Sequence, residues 1–209
     1  MTKSRKSAQE RKAEIVETAI RLAGEQGPDR VTTQALADAI GLSQAAIFRH
    51  FPTKADIWLA VGKSITSPIV QLDKDVPQDD PLVVLQGLME RHLRQIAQNP
   101  AIPAILFSRE LHAENDALRH HFETVMVARR AGLARLLEQA QKQRHLNAEV
   151  ASADIAALLL ASIQGLAMRW SLENQGFDLA AEGGRLISVL LGGFSPRSGN
   201  AQVLPDNPQ

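Results

Sequence analysis

The 209-residue chain is 44% hydrophobic and 22% charged, which permits one or two compact domains and excludes a low-hydrophobicity disordered chain. It contains no cysteine, so disulfides and thiolate metal sites are excluded. Its 23 basic and 23 acidic residues cancel, a balance that argues against a nucleic-acid binder until the charge is mapped along the chain.

Residues 1–63 carry ten Lys/Arg against seven Asp/Glu, a net +3, and residues 64–209 carry thirteen against sixteen, a net −3. Within the first twelve residues Lys3, Arg5, Lys6, Arg11 and Lys12 face only Glu10. A basic unit joined to an acidic remainder suits local contact with phosphates, since attraction decays within a Debye length; a solvated basic tail is the plainer alternative. The longest apolar run, Ile155 to Ile163, is about half a membrane span. The start, MTKSRKSAQE, lacks the apolar stretch of a secretory signal. A cytoplasmic soluble protein without membrane association is therefore expected.

In chain order, apolar positions recur at three and four, and little reads as strand. A first helix is predicted from Ala8 to Gln26, stopped by Gly27-Pro28. Thr32 caps a short second helix ending at Ile40-Gly41, and a third follows Ser43 and stops at Phe51-Pro52. Thr53 caps a fourth through Trp58, Val61 and Ile65, ending before Ser67-Pro68. The acidic, proline-containing stretch from Asp73 to Pro81 reads as a boundary. Beyond it, helices are predicted at 82–98, 102–112, 115–143, 152–173 and 178–192, followed by a disordered tail. The expected fold is all-α: a helix-turn-helix domain over 1–65, an antiparallel helical domain over 66–194, and a tail over 195–209.

Two helices of about seven residues joined by Gly41-Leu42-Ser43 form a helix-turn-helix. Gly41 supplies the positive φ of a tight turn, Ala37 is small where the helices touch, and Leu36, Ile40, Leu42 and Ile47 form the small core beneath. The face from Ser43 to His50 is then free to enter a major groove. Over about residues 8–65, and above all in Ile47-Phe-Arg-His-Phe-Pro-Thr-Lys54 after the Gly-Leu-Ser turn, the sequence resembles the TetR family of bacterial repressors. The rest resembles that family only in length and helical character.

The resemblance implies a homodimer that binds palindromic double-stranded DNA and releases it when a small-molecule effector enters the C-terminal domain. Thr33 and Gln34 would meet phosphate or a base edge; Ser43, Gln44 and Ala45 would begin the recognition helix. There Gln44 would read a base edge and Ala45 a thymine methyl. His50 and Lys54 would hold phosphates. Phe48 departs from the family, which usually places there a tyrosine whose hydroxyl reaches a phosphate, and Arg49 is the residue available to compensate. A C-terminal helix pair with Ala157, Ala161 and Gly165 would form the dimer interface.

For the effector site only helical geometry is available. Leu118, Phe122, Val125, Leu133, Leu136 and Ala140 share a face with Arg129; His92 falls among Leu85, Leu88, Met89, Leu93 and Ile96; Glu110 falls with Pro103, Leu106 and Phe107. The candidate pocket is His92, Phe107, Glu110, Phe122, Met126, Arg129 and Trp170. The alternative is structural: Glu110 pairs with Arg129, and His92 is a satisfied core histidine. The dense His112, Glu114, His120, His121 and Glu123 read as a solvated face rather than a metal site. No metal or cofactor is expected. No nucleophile–base motif, phosphate loop or dinucleotide fingerprint appears, so an enzyme is the weaker rival. A DNA-binding regulator controlled by a protein partner is the stronger one.

Overall fold

The computed structural model describes residues 6–72 and 80–196, the side chains of 69–72 excepted, and among them every regular element is helical. In chain order these are α1 (Ala8–Gln26), α2 (Thr33–Ile40), α3 (Gln44–Phe48), α4 (Lys54–Leu72), α5 (Pro81–Gln98) and α6 (Ala101–Leu106). Then come α7 (Arg109–Glu114), α8 (Asp116–Lys142), α9 (Ser152–Leu172) and α10 (Leu179–Gly192). A single 3-10 turn, Pro28–Arg30, separates α1 from α2.

Local chemistry sets the early boundaries. α1 opens on a capping box: Ser7 Oγ accepts from the Glu10 amide at 3.2 Å, and the Ser7 amide donates to the Glu10 carboxylate at 2.6 Å. It closes at Gly27, whose φ of 86° is one that side chains resist. Thr32 Oγ1 and Ser43 Oγ cap α2 and α3 by accepting from Ala35 and Ala46, at 3.0 and 3.2 Å. Thr53 and Asp56 make the reciprocal pair that starts α4.

Between α2 and α3, Gly41 sits at φ 68°, ψ 40°, and a Cβ there would meet no atom within 4 Å. Any cost of a side chain at 41 is therefore conformational. Gly41→Ala is expected to lower stability by about 1–2 kcal/mol in urea unfolding, and Gly41→Asn by clearly less.

Three predicted boundaries differ. α4 runs through Pro68 to Leu72 instead of stopping at Ser67. The ring removes only one helical hydrogen bond, and the buried Ile65 and Thr66 just before it hold the segment in place. The expected helix over 102–112 is two helices, because Ser108 turns inward and caps α7 by accepting from Leu111 at 3.0 Å. The recognition helix ends at Phe48, with Arg49 and His50 in a turn, rather than reaching Phe51.

The core runs from the first domain into the second without a break. Ile15, Ala19 and Ala23 form the buried stripe of α1, which packs on α2, α4 and α6. α4 crosses α8 so closely that a Cβ on Gly62 would lie 2.4 Å from Leu118 Cδ1. α5 packs on α8 and α10, and α9 on α8 and α10. The proposed boundary at 65/66 thus falls inside the continuous helix α4. The tail from 197 onward and the segment 73–79 lie outside the described residues.

Candidate functional site

The helix-turn-helix presents its predicted residues as a short run of exposed and half-exposed side chains. Gln34, Ser43, Ala45, Phe48, Arg49 and Lys54 are exposed, whereas Thr33, Gln44 and His50 are half-buried. Beneath them Ile47 is 0% and Leu36 2% exposed, and Ala37 is fully buried; Ile40 and Leu42 are only partly so. The turn of the motif is locked by the Leu42 amide, which donates to the Ala37 carbonyl at 2.9 Å. Across the motif, Gln44 Nε2 donates to Thr33 Oγ1 at 3.3 Å, joining the starts of α2 and α3. Gln34 is tied along its own helix to Asp38 at 2.6 Å.

The basic N-terminal segment is less free than its composition suggests. Glu14 accepts from both Lys6 and Arg11, at 2.7 and 2.6 Å, and Lys12 stands 5.5 Å from the Phe51 ring centroid. Lys3 and Arg5 lie outside the described residues.

Phe48 is 39% exposed and so stands outside the buried core of the motif. Phe48→Tyr is expected to tighten DNA binding by about 0.5–1.5 kcal/mol through one added phosphate hydrogen bond, read by fluorescence anisotropy. Unchanged or weaker affinity would show that position 48 is not aimed at the backbone.

A second feature is a narrow cavity of about 30 Å³ walled by α4, α5, α6, α8 and α9. Of the predicted pocket residues, His92, Phe107, Phe122 and Met126 line it. Glu110, Arg129 and Trp170 do not. Glu110 is exposed on α7, because the break at Ser108 resets the helical register that had turned it inward. It is therefore turned to the outside, whereas Arg129 is buried, at 1% exposed. Trp170 is buried elsewhere, its Nε1 donating to the Phe177 carbonyl at 3.0 Å.

Sequence reasoning missed most of the wall: Ile65 and Thr66 of α4, Ile102 of α6, and Leu160, Ile163 and Gln164 of α9. Thr66 Oγ1 donates to the Gly62 carbonyl at 2.8 Å and lies 2.9 Å from His121 Nε2. The histidines expected on a solvated face are divided. His120 is exposed, but His112 and His121 are half-buried against Phe122, His112 edge-on at 5.5 Å. Among the described residues no group of three or more His, Asp or Glu could hold a metal ion.

His92 is 5% exposed, and its Nδ1 is buried without a hydrogen-bond partner among the described residues. Burial, reinforced by the charge of Arg129, pushes its pKa from 6.5 down to about 3. As pH falls below 6.5 the unfolded chain takes up a proton that the folded chain refuses until about pH 3, so stability drops across that window. Between pH 6.5 and 5.5 the loss from this group is about 1 kcal/mol. Urea unfolding at the two values should show it in the wild type but not in His92→Gln.

Comparison with known proteins identifies the family. The profile of "Bacterial regulatory proteins, tetR family" matches residues 15–61, and that of "MAATS-type transcriptional repressor, C-terminal region" matches residues 80–196. The nucleoid occlusion factor SlmA of Glaesserella parasuis serovar 5 is 26% identical over 176 residues, covering 83% of this chain and 87% of that one. A TetR transcription regulator from Haloarcula marismortui superimposes with a TM-score of 0.76 at 21% identity, over 89% of this chain and 98% of that one. The transcriptional regulator FadR from Bacillus subtilis, solved with stearoyl-CoA, gives 0.74 at 18% identity, over 87% and 98%. The chain belongs to the TetR family of bacterial regulatory proteins, all-α transcription regulators that bind DNA through a helix-turn-helix.

Proposed function

We propose that this chain is a cytoplasmic homodimeric repressor that grips a palindromic operator through α2 and α3 and lets go when a small organic molecule enters the cavity. The observation that carries this reading is that cavity and DNA-binding unit share helices. Thr66 of α4 and Ile102 of α6 line the cavity, while α4 begins at Lys54 beside the recognition helix and α6 packs on α1. Ser108, at the α6–α7 junction, also donates to Asp29 in the turn between α1 and α2, at 2.7 Å. Widening the cavity would therefore push on the elements that set the angle of the recognition helix. In this reading residues 1–65 are the DNA-binding head, 66–194 the sensor and dimerisation body, and the chain has no catalytic role.

The dimer part rests on α9 and α10. Behind the buried stripe of α9 runs a second stripe, Ala157, Leu158, Ala161, Gly165, Met168 and Leu172, all exposed. On α10, Val189 is 66% exposed. By length and composition α9 could also cross a membrane, but its other face is built into the core. Small residues on an apolar helix face let a symmetry-related copy approach closely.

The test has two parts. Light scattering should give twice the chain mass, and DNA from upstream of the chain's own gene should be retarded in a salt-dependent way and released by an organic compound. A monomer, or binding that no compound reverses, would overturn the reading. One observation favours control by a protein partner instead: the cavity, at about 30 Å³, is far below the several hundred Å³ of ordinary ligand pockets. A thermal-shift panel of organic compounds separates the two, since only a ligand-gated protein would be stabilised.

A further inference from the structure

Building on that sensor reading, we propose that the effector is an uncharged, largely apolar molecule carrying one hydroxyl group, which makes the hydrogen bond that His92 Nδ1 lacks. The wall of the cavity is aliphatic and aromatic, and no Asp, Glu, Lys or Arg lines it. A carboxylate or ammonium group entering it would shed water and find no countercharge on the wall itself, and an ammonium would in addition be opposed by the charge of Arg129 that acts on His92. The wall's polar inventory is short. Thr66 Oγ1 is spent on the Gly62 carbonyl and His121, and Gln164 Nε2 reaches only the weakly accepting sulfur of Met126, at 3.7 Å. His92 is different, with a buried Nδ1 that no described residue satisfies.

Buried polar atoms without a partner are uncommon in folded proteins, and among the described residues His92 is the one that carries such an atom on the wall of this cavity. Its imidazole stays neutral at physiological pH, because burial and the charge of Arg129 oppose protonation. It therefore offers an anion no charge. Neutral imidazole can present Nδ1 as donor or acceptor according to tautomer, and a hydroxyl, which both donates and accepts, satisfies either. The narrowness of the cavity adds the requirement that the ligand part the walls, and α6, of only six residues, is the shortest of the helices that form them.

The test compares three probes that share a tail and differ only in the head: 1-octanol, octanoate and octylammonium. Calorimetric titration of the full chain at pH 7 should give at least tenfold tighter binding for octanol than for either ion. His92→Leu should weaken octanol about threefold to tenfold, the range expected for one hydrogen bond. The same change should raise the melting temperature of the unliganded protein, because it removes a buried unsatisfied atom. A folding defect would do the reverse. His92→Gln should keep most of the affinity. Equal or tighter binding of either ion, octanol binding indifferent to His92→Leu, or no binding of any probe would overturn the proposal. Parallel release assays on promoter DNA separate it from the sensor reading. Octanol bound through His92 without release overturns the gating but not the ligand class, whereas release by octanoate or octylammonium preserves the gating and overturns the class.

Discussion

Ile47→Ala is expected to lower stability by about 2–5 kcal/mol and to abolish detectable DNA binding. α3 is only five residues long, and a helix of that length has no stability of its own in water. Its cap, the Ser43 hydroxyl on the Ala46 amide, fixes where it starts but not how it is angled. The angle comes from Ile47, which is 0% exposed, with Ala46 beside it at 7%. Truncating Ile47 removes three carbons from a filled site, and the carbonyl of the same residue accepts from both His50 and Phe51, so relaxation there disturbs the turn into α4 as well. The urea midpoint should fall with an unchanged slope. A loss below 1 kcal/mol would mean that capping and backbone bonds, rather than burial, hold the recognition helix.

The helix-turn-helix was legible because its signals are local. Gly27, Thr32, Gly41, Ser43 and Thr53 each act within about three residues, and the structure puts each at the cap or turn that its side chain or missing Cβ suits. The failures occur where tertiary contacts override such signals. Pro68 reads as a stop, yet α4 continues past it because packing just upstream outweighs one lost bond. Ser108 reads as an ordinary residue in an apolar run, yet it breaks that run by capping α7 and reaching Asp29.

Glu110 shows how one such miss propagates. A single helix over 102–112 would place it on the face of Leu106 and Phe107; with the helix broken, it turns to solvent. Arg129 and His92 lie on unbroken helices, and their inward position, read from spacing alone, agrees with their burial. Which inward residues share one cavity was not legible, because the wall draws on five helices and only their packing brings Ile65, Ile102 and Leu160 together.

Gln44→Ala is expected to weaken binding to the cognate palindrome by about 1–3 kcal/mol per half-site, and binding to unrelated DNA much less. The amide stands at the first position of α3, half-buried, with Nε2 already held by Thr33 Oγ1 at 3.3 Å. A side chain held in place before binding loses less rotamer freedom on meeting a base edge, which concentrates its effect in the sequence-specific complex. Thr33→Val should therefore reproduce part of the loss with the sequence dependence of the Gln44 variant, rather than the uniform loss expected from a phosphate contact by Thr33 itself. Lys54→Ala makes the contrast. Lys54 is exposed at the start of α4, and its proposed partners are phosphates, which every sequence presents equally. Its loss should weaken specific and random complexes alike and reduce the salt dependence by about one phosphate contact per subunit. In the proposed two-fold dimer each effect would count twice, so the two variants should part clearly in competition binding at several salt concentrations. If Gln44→Ala and Lys54→Ala lose affinity in parallel across sequences, Gln44 is a backbone anchor, and the specificity of this regulator resides elsewhere on α3.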